Sequence, residues 1–327
     1  LKHIQSTGDE GTVYEGCTFQ DNKGYTAIVA DTNLFHNHTF RKCIIQNNDV
    51  GSTETTTDEV SSIVSITNGS ASHIVLFEEC QFILNNGNDR GGSIYIHDTN
   101  FKPSIINCVF DQNLGKEGSC IYSTTTEFTL EGTTFSNNNE KTQTGSSESF
   151  IFLDLKDSFT ITNCTFTENK QVIRATVTGT LTLEDCTFEK YTKSNALILN
   201  HISSIEGTVY DNCTFQENNK YTVIVADSDT VHKHTFRNCT IQGNTGGVKG
   251  EEQVSSVISI SGGSDGDSIL FEECNIINNE LAFYIHDCNF KPRINQCTFD
   301  SCYGKTGSCI HSTTSNFTLE NSKFSNN

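Results

Sequence analysis

The 327-residue sequence contains no methionine, no tryptophan and only two prolines, Pro103 and Pro292. No run of residues approaches the roughly 20 consecutive apolar positions that a membrane-spanning helix needs, so we expect no direct membrane insertion by this segment. Basic residues are also few, with 21 Lys and Arg against 40 Asp and Glu. The resulting formal charge of −19 opposes binding to nucleic acid and to anionic lipid surfaces.

Sustained helical periodicity is absent as well. No segment repeats apolar residues at the spacing of about 3.6 positions that an amphipathic helix shows, which argues against leucine-rich, ankyrin and tetratricopeptide repeats. Short β-branched and aromatic runs alternate with polar residues instead, as in FTITNCTFTEN at 159–169. The first residues, LKHIQSTGDEG, contain neither a signal peptide nor a starting Met. We therefore expect a strand-rich segment of a longer chain.

A short unit recurs through the sequence. CTFQDN at 17–22 returns as CIIQNN at 43, CTFTEN at 164, CTFQEN at 213 and CTIQGN at 239. Self-similarity spaced 22 to 37 residues apart is typical of a solenoid. The unit begins at twelve marker residues: Cys17, Cys43, Cys80, Cys108, Thr133, Cys164, Cys186, Cys213, Cys239, Cys274, Cys297 and Ser322.

The unit predicts which side chains face inward. In a strand, residues i and i+2 share a face, so Cys17 and Phe19 should point to the core and Thr18 to solvent. Coils stacked about 4.8 Å apart would place Asn over Asn, where side-chain amides can hydrogen-bond along the stack. The sequence thus predicts an all-β fold, a parallel β-helix of about twelve coils over residues 1–327. The predicted core ladder consists of Cys17, Phe19, Asn22, Cys43, Cys80, Cys108, Phe110, Asn113, Cys164, Phe166, Asn169, Cys186, Cys213, Phe215, Asn218, Cys239, Cys274 and Cys297.

A longer repeat lies over the short one. Residues 10–138 return at 206–327, and the offset falls from 196 to 189 as loops shorten. This pattern indicates duplication of a block of several coils. Tandem duplication of this kind favours a long molecule that can bind at several points.

The motifs resemble those of the polymorphic outer-membrane protein family of chlamydiae, which repeats FxxN and GGA(I/L/V). FxxN stands here as FQDN at 19, FDQN at 110, FSNN at 135, FTEN at 166, FQEN at 215 and FSNN at 324, and the second motif as GGSI at 91 and GSCI at 118 and 307. Similar repeats occur in surface proteins of some protists. The resemblance implies a right-handed parallel β-helix and a surface role in adhesion. The sequence departs from the family by using Ser or Cys in place of Ala and by lacking an outer-membrane barrel.

The cysteines outside CxxC pairs argue against a zinc protein. The column cysteines either form disulfides between coils or line the core as buried free thiols. Cys288 and Cys302 both stand in the second block, where the first has Thr99 and Asn113, so we predict a disulfide between them. Cys120 and Cys309 are weaker candidates for a bridge.

Each of the other polar motifs allows two interpretations. Six sequons could be N-glycosylated in a eukaryotic secretory route. His36 and His38, with His232 and His234, could hold a metal, but a solvated surface pair is favoured because no third ligand is evident. His97–Asp98 and His286–Asp287 are read as hydrogen-bonded turns rather than parts of a catalytic dyad. The sequon asparagines are Asn37, Asn68, Asn163, Asn212, Asn238 and Asn316.

Three functions fit these features. The first is a non-catalytic extracellular or cell-surface adhesin or stalk that binds a protein or glycan, with contact loops at 49–73 and 245–268 or disordered bulges there. The second is a subunit of an extracellular filament built from further copies of the chain. The third is a polysaccharide lyase or hydrolase, for which only EE at 78–79 and 272–273 offers paired carboxylates and no NTD, DD, GHG and RIK series is found. We expect no catalytic residue, no metal and no cofactor.

Overall fold

The computed structural model describes residues 12–23, 28–30, 37–50, 62–67, 74–87, 91–97, 102–115, 117–124, 128–138, 149–169, 172–191, 202–204, 206–219, 224–226, 233–248, 255–262, 266–305, 307–313 and 316–327. Two compact units divide the chain. Unit 1 consists of residues 1–157 and 169–175, and unit 2 of residues 158–168 and 176–327. In the described residues, every regular element is a β-strand.

Unit 1 contains three parallel sheets, and each turn of the chain adds one strand to each. Sheet 1 is formed by Thr12–Glu15, Asn37–Arg41, Ile74–Glu78, Ser104–Ile106 and Thr129–Glu131. Sheet 2 is formed by Thr18–Gln20, Ile44–Gln46, Gln81–Ile83, Val109–Asp111 and Thr134–Ser136. Sheet 3 is formed by Ile28–Ala30, Val64–Thr67, Ile94–His97, Ile121–Ser123, Ser149–Leu155 and Val172–Val177, the last ending in unit 2.

Unit 2 repeats the arrangement. Its sheet 1 is formed by Phe159–Thr162, Thr180–Glu184, Gly207–Asp211, Lys233–Arg237, Ser268–Glu272, Arg293–Asn295 and Thr318–Glu320. Its sheet 2 is formed by Thr165–Thr167, Thr187–Glu189, Thr214–Gln216, Thr240–Gln242, Asn275–Ile277, Thr298–Asp300 and Lys323–Ser325. Its sheet 3 is formed by Ile224–Ala226, Ile258–Gly262, Phe283–Cys288 and Ile310–Ser312. Ile202–Ser204 is a further strand, and Gly247–Val248 pairs antiparallel with Ser255–Ser256.

Two left-handed corners flank every strand of sheet 2. The first corner is the residue before each marker residue. The second corner is the second residue after the central residue of each sheet-2 strand. All of these corner residues have φ between 51° and 62°. Gly, Asn and Asp adopt this conformation most readily, yet Glu79, Leu84 and Gln296 also occupy it. Hydrogen bonds to the adjacent coil hold them there, as in the bond of 3.0 Å from the Glu79 N–H to the Ile106 carbonyl.

The second corner explains the FxxN spacing. Phe110 points inward from its strand, Gln112 has φ of 54°, and the turn brings Asn113 inward as well. Asn113 donates through Nδ2 to the Phe82 carbonyl at 2.8 Å, and its Oδ1 accepts the Asn85 backbone N–H at 3.1 Å. A strand period of two residues would have sent the Asn to the opposite face from Phe, so the corner is what gives the motif its three-residue step.

The aromatic side chains of the core stack in register. Phe110 lies between Phe82 and Phe135, with ring centroids 4.6 and 5.0 Å away, and Phe188 lies 4.9 Å from Phe215 in unit 2. Such offset-stacked pairs stabilise a fold beyond the area they bury. The parallel β-helix predicted from the sequence is confirmed.

Glycines shape the entry into sheet 3. Gly118 has φ of 63°, and a Cβ at that position would lie 2.3 Å from the Ile121 carbonyl oxygen. A Cβ at Gly92 would lie 2.3 Å from the Ser119 carbonyl oxygen of the next coil. The GGSI motif at 91 and the GSCI motif at 118 therefore mark a corner where the backbone approaches too closely for a larger residue, whereas a Cβ at Gly307 of the second GSCI motif would lie 3.3 Å from the Ile310 carbonyl oxygen.

Candidate recognition surface

An outward row of threonines follows sheet 2 of unit 2. Consecutive members pair in register across adjacent strands, and all are partly exposed. Parallel in-register pairing spaces equivalent atoms by about 4.8 Å. The row, called here the threonine row, consists of Thr165, Thr187, Thr214, Thr240, Asn275 and Thr298.

A second outward row runs beside it. Gln242 Nε2 donates to Gln216 Oε1 at 2.9 Å, and Gln216 Nε2 donates to Glu189 Oε2 at 2.7 Å. Burial raises the pKa of Glu189, but the hydrogen bonds from Gln216 and Lys190 outweigh it, so the net pKa lies below the ordinary value. These side chains hold one another in place and present a continuous polar surface.

The outward row of sheet 1 contains ion pairs. Arg41 Nε lies 2.7 Å from Glu78 Oε2 in unit 1, and Arg237 Nε lies 3.6 Å from Glu272 Oε2 in unit 2. The first glutamate of each EE motif thus pairs with an arginine of the preceding coil. The second, Glu79 or Glu273, occupies a left-handed corner. Partly exposed pairs of this kind contribute about 0 to 1 kcal/mol each.

Three of the sequon asparagines occupy exposed first corners. Asn163, Asn212 and Asn238 have φ of 51°, 53° and 55°, and the threonine two residues on belongs to the threonine row. Asn212 Nδ2 donates to Asp185 Oδ1 at 2.6 Å, and Asn238 Nδ2 donates to Asp211 Oδ1 at 3.2 Å.

The remaining sequons differ. Asn37 is partly buried, and its Oδ1 accepts the Ile74 N–H at 3.0 Å. Asn316 Nδ2 donates to the Phe290 carbonyl at 2.8 Å. Asn68 lies outside the described residues. Of the five sequon asparagines that are described, Asn163, Asn212 and Asn238 are the most exposed, and glycosylation of all six stays a prediction.

The column cysteines are free thiols at the first corner. Cys43 Sγ lies 3.2 Å from the Tyr14 carbonyl oxygen, and Cys213 Sγ lies 3.2 Å from that of Leu183, so each thiol donates to the preceding coil. Burial raises the pKa of Cys43 to about 11. Cys17 is less buried because no described coil stacks on its outer side. Cys120 is buried near Ser119, and burial raises its pKa.

The structure does not bring Cys288 and Cys302 together, in contrast to the predicted disulfide. Both are free thiols. Cys288 ends a strand of sheet 3 and its Sγ lies 3.4 Å from the Ile260 carbonyl oxygen, whereas Cys302 follows a strand of sheet 2 and its Sγ lies 3.6 Å from that of Ile276. The shared block suggested the pairing, but Cys288 stands at the far end of a sheet-3 strand and Cys302 at the corner that precedes the next one.

The histidines of the HxH motifs are not a solvated surface pair, so that expectation was wrong for the members that are described. His38 is 7% exposed and His234 is 2% exposed. Both stand at inward positions of sheet-1 strands, with ring centroids 6.2 Å from those of Tyr14 and Tyr210 respectively. His36 and His232 lie outside the described residues. Alternation along the strand, with Phe40 and Phe236 as the next inward residues, explains the burial.

The His-Asp motifs lie at the ends of sheet-3 strands. His97 Nδ1 is 2.7 Å from Thr124 Oγ1 of the next coil, and the His286 ring stacks on Tyr284 at 4.3 Å. Asp98 and the side chain of Asp287 are outside the described part of the chain. Within that part, no three His, Cys, Asp or Glu side chains are arranged to hold a metal ion.

The two inserts are described only in part. The described portion of 49–73 includes the strand Val64–Thr67, and that of 245–268 includes the antiparallel pair Gly247–Val248 and Ser255–Ser256. The described residues also include no helix of the length and apolar character that a membrane crossing requires.

Comparison with known proteins identifies the fold family. The right-handed β-helix region family matches residues 93–265 and 202–327, which together span more than two thirds of the chain. No curated protein sequence matches significantly. The crystal structure of the Agl-KA catalytic domain is 14% identical with a TM-score of 0.39, and the match covers 89% of this chain and 59% of that one. The Streptococcus pneumoniae surface protein and adhesin PfbA is 12% identical with a TM-score of 0.34, over 95% of this chain and 89% of that one. This chain belongs to the right-handed β-helix family.

Proposed function

We propose that the chain is a non-catalytic β-helix of the cell surface or extracellular space that acts as an adhesin or stalk. The threonine row of unit 2 and the amide row beside it form the recognition surface, and the partner is a protein or glycan. The observation that carries this proposal is the in-register repetition of small polar side chains over successive coils. The FxxN and GGSI motifs agree with a relationship to surface proteins of the polymorphic outer-membrane type.

Repetition suits binding by many weak contacts. Identical groups at a regular spacing engage a repetitive ligand at several points, and each additional point raises the apparent affinity without any new type of contact. An enzyme site instead gathers unlike groups in one place. The paired glutamates favour the same conclusion, because Glu78 and Glu272 are engaged by Arg41 and Arg237.

Replacement of three adjacent threonines tests the proposal. The variant Thr187→Ala, Thr214→Ala, Thr240→Ala removes hydroxyls from the threonine row and leaves the inward faces unchanged. Binding is measured on an array of neutral and acidic oligosaccharides and on immobilised extracellular-matrix proteins. We expect the wild-type chain to bind at least one probe and the variant to bind it about tenfold or more weakly, because three adjacent contacts are lost.

The matched control changes the outward row of sheet 1 in the same unit: Thr160→Ala, Thr182→Ala and Thr235→Ala. It should bind as the wild type does. Equal loss in both variants would place the recognition elsewhere. Release of reducing ends from an arrayed polysaccharide would favour the hydrolase or lyase, and continuous fibres of the purified chain in electron micrographs would favour the filament.

A further inference from the structure

One position of the asparagine column in unit 2 is occupied by a cysteine. The column runs through Asn218, Asn244 and Asn279, each bonded to its neighbour, and Cys302 takes the next place. The Cys302 backbone N–H still donates to Asn327 Oδ1 at 2.8 Å, so the corner keeps its shape. The Cys302 thiol therefore points into the core where an amide would otherwise lie.

The chain then turns back on itself. The Leu281 N–H donates to the Tyr303 carbonyl at 2.7 Å, and the Phe283 N–H donates to the Cys309 carbonyl at 2.8 Å. The two carbonyls are thus bound by residues only two positions apart, so Tyr303 and Cys309 both lie against the same short segment of the preceding coil. The turn is tight, since a Cβ at Gly304 would lie 2.3 Å from the Gly307 carbonyl oxygen.

Two buried cysteines flank this turn. Cys302 stands just before it and Cys309 just after it, they are 2% and 6% exposed, and each thiol affects the pKa of the other. Cys288 is far from both, because it stands five residues beyond Phe283 along the strand, about 16 Å away. Of Cys288 and Cys309, the latter is thus the candidate partner of Cys302.

We propose that Cys302 and Cys309 form an intrachain disulfide when the protein meets a disulfide oxidant such as oxidised glutathione. One thiolate attacks the glutathione disulfide, forming a mixed disulfide and releasing one glutathione thiolate. The second cysteine thiolate attacks the mixed disulfide and releases the other glutathione, so two electrons pass from the cysteines to the oxidant and the two thiol protons end on the two glutathione thiols. The bridge closes the turn between sheets 2 and 3. It is independent of the proposed function.

The first block provides an internal comparison. The Ile94 N–H donates to the Cys120 carbonyl at 2.9 Å, as that of Phe283 does to Cys309, so the backbone follows the same course. Asn113 stands where the second block has Cys302. Cys120 should therefore stay a thiol under the same oxidation, and Asn113→Cys should supply it with a partner.

Burial sets the rate of the reaction. Desolvation raises the pKa of Cys302 to about 12 and also raises that of Cys309. Because the thiolate is the attacking species, the bridge should form slowly at neutral pH and faster as the pH rises.

Peptide mapping tests the proposal. The purified chain is incubated with oxidised glutathione at several pH values, free thiols are blocked, and trypsin is added. Cleavage after Arg293, Lys305 and Lys323 leaves peptide 294–305 linked to peptide 306–323 if the bridge has formed. Fragmentation of the linked pair distinguishes Cys302 from Cys297, and the cross-linked fraction should rise with pH.

Two variants make the result decisive. Cys302→Asn restores the residue that the column uses elsewhere, so it should fold, lose the linked pair and show a thermal midpoint that reduction does not change. Asn113→Cys should gain a link to Cys120. Free thiols at both Cys302 and Cys309 after oxidation at alkaline pH would overturn the proposal, as would a link from Cys302 to Cys288 or Cys297.

Discussion

The buried asparagines show how single residues stabilise the coils. Asn244 Oδ1 accepts both the backbone N–H and the Nδ2 of Asn218, at 3.0 Å each, while its own Nδ2 donates to the Phe215 carbonyl and to Asn279 Oδ1. Every polar atom of this fully buried side chain is therefore used. A buried amide is tolerated only because the partners on both neighbouring coils satisfy it.

Replacement of Asn244 by Ala should lower the free energy of unfolding by about 1 to 3 kcal/mol, because the Asn218 donors are left buried without an acceptor. Gln242→Ala is the matched control, since it removes an outward amide two residues earlier in the same coil. That change should alter the free energy of unfolding by no more than about 0.5 kcal/mol. Urea denaturation followed by circular dichroism measures both, and similar losses would contradict the assignment.

The sequence allowed the inward cysteine and phenylalanine to be predicted from strand alternation alone. The burial of His38 and His234 was missed although the same alternation applies, since each lies two residues before an inward phenylalanine; the polarity of histidine had favoured an exposed pair instead. Pairing Cys302 with Cys288 failed for a different reason. Spatial proximity depends on the turn at Gly304 and Gly307, which no residue count reveals.

At the scale of the element, the coil depends on its corners as much as on its strands. Each sheet-2 strand is only three residues long and lies between two left-handed residues. Glu168 and Lys190 adopt this conformation although it costs a non-glycine residue roughly 1 to 2 kcal/mol. Hydrogen bonding to the next coil must offset that strain, so corner geometry follows from stacking and could not be predicted from local propensity.

Two glycine replacements distinguish backbone conformational strain from steric overlap of an added Cβ. Gly243 has φ of 62° with nothing within 4 Å of a Cβ, so Gly243→Ala should cost only about 1 to 2 kcal/mol. Gly118 has φ of 63° but would place its Cβ 2.3 Å from the Ile121 carbonyl oxygen. Gly118→Ala should therefore lower the free energy of unfolding by more than Gly243→Ala does.

Chemical denaturation of both proteins measures the difference. Equal destabilisation would mean that backbone conformation alone explains the glycine at the sheet-3 corner. A larger loss at Gly118 supports close approach of the backbone as the reason for the glycine of the GSCI motif at 118.

At the scale of the molecule, each unit is a set of nearly equivalent coils joined by contacts to immediate neighbours. Backbone hydrogen bonds link one coil to the next, such as those from the Lys42 N–H to the Glu78 carbonyl and from the Asn238 N–H to the Glu272 carbonyl. Repeat spacing and strand texture were enough to predict this architecture. The internal duplication stays a prediction, although Arg41 and Arg237 occupy equivalent places and form equivalent ion pairs.

Alkylation of the native protein should distinguish the thiols by their burial. Cys17 and Cys288, which are partly exposed, should react first, and Cys43 should react slowly because burial raises its pKa to about 11. Mass spectrometry of peptides from a time course measures each rate. Prompt labelling of Cys43 in the native state would contradict the burial of the column.

The column of thiols provides the chain with natural chemical probes of its own coils. Because most coils contain one shielded cysteine at the same corner, a coil becomes reactive only when it separates from its neighbour. Solenoids need not unfold as a single cooperative block, and their terminal repeats can open before the central ones. The order in which these cysteines are labelled in mild denaturant would therefore report the order in which the coils open, without any introduced probe.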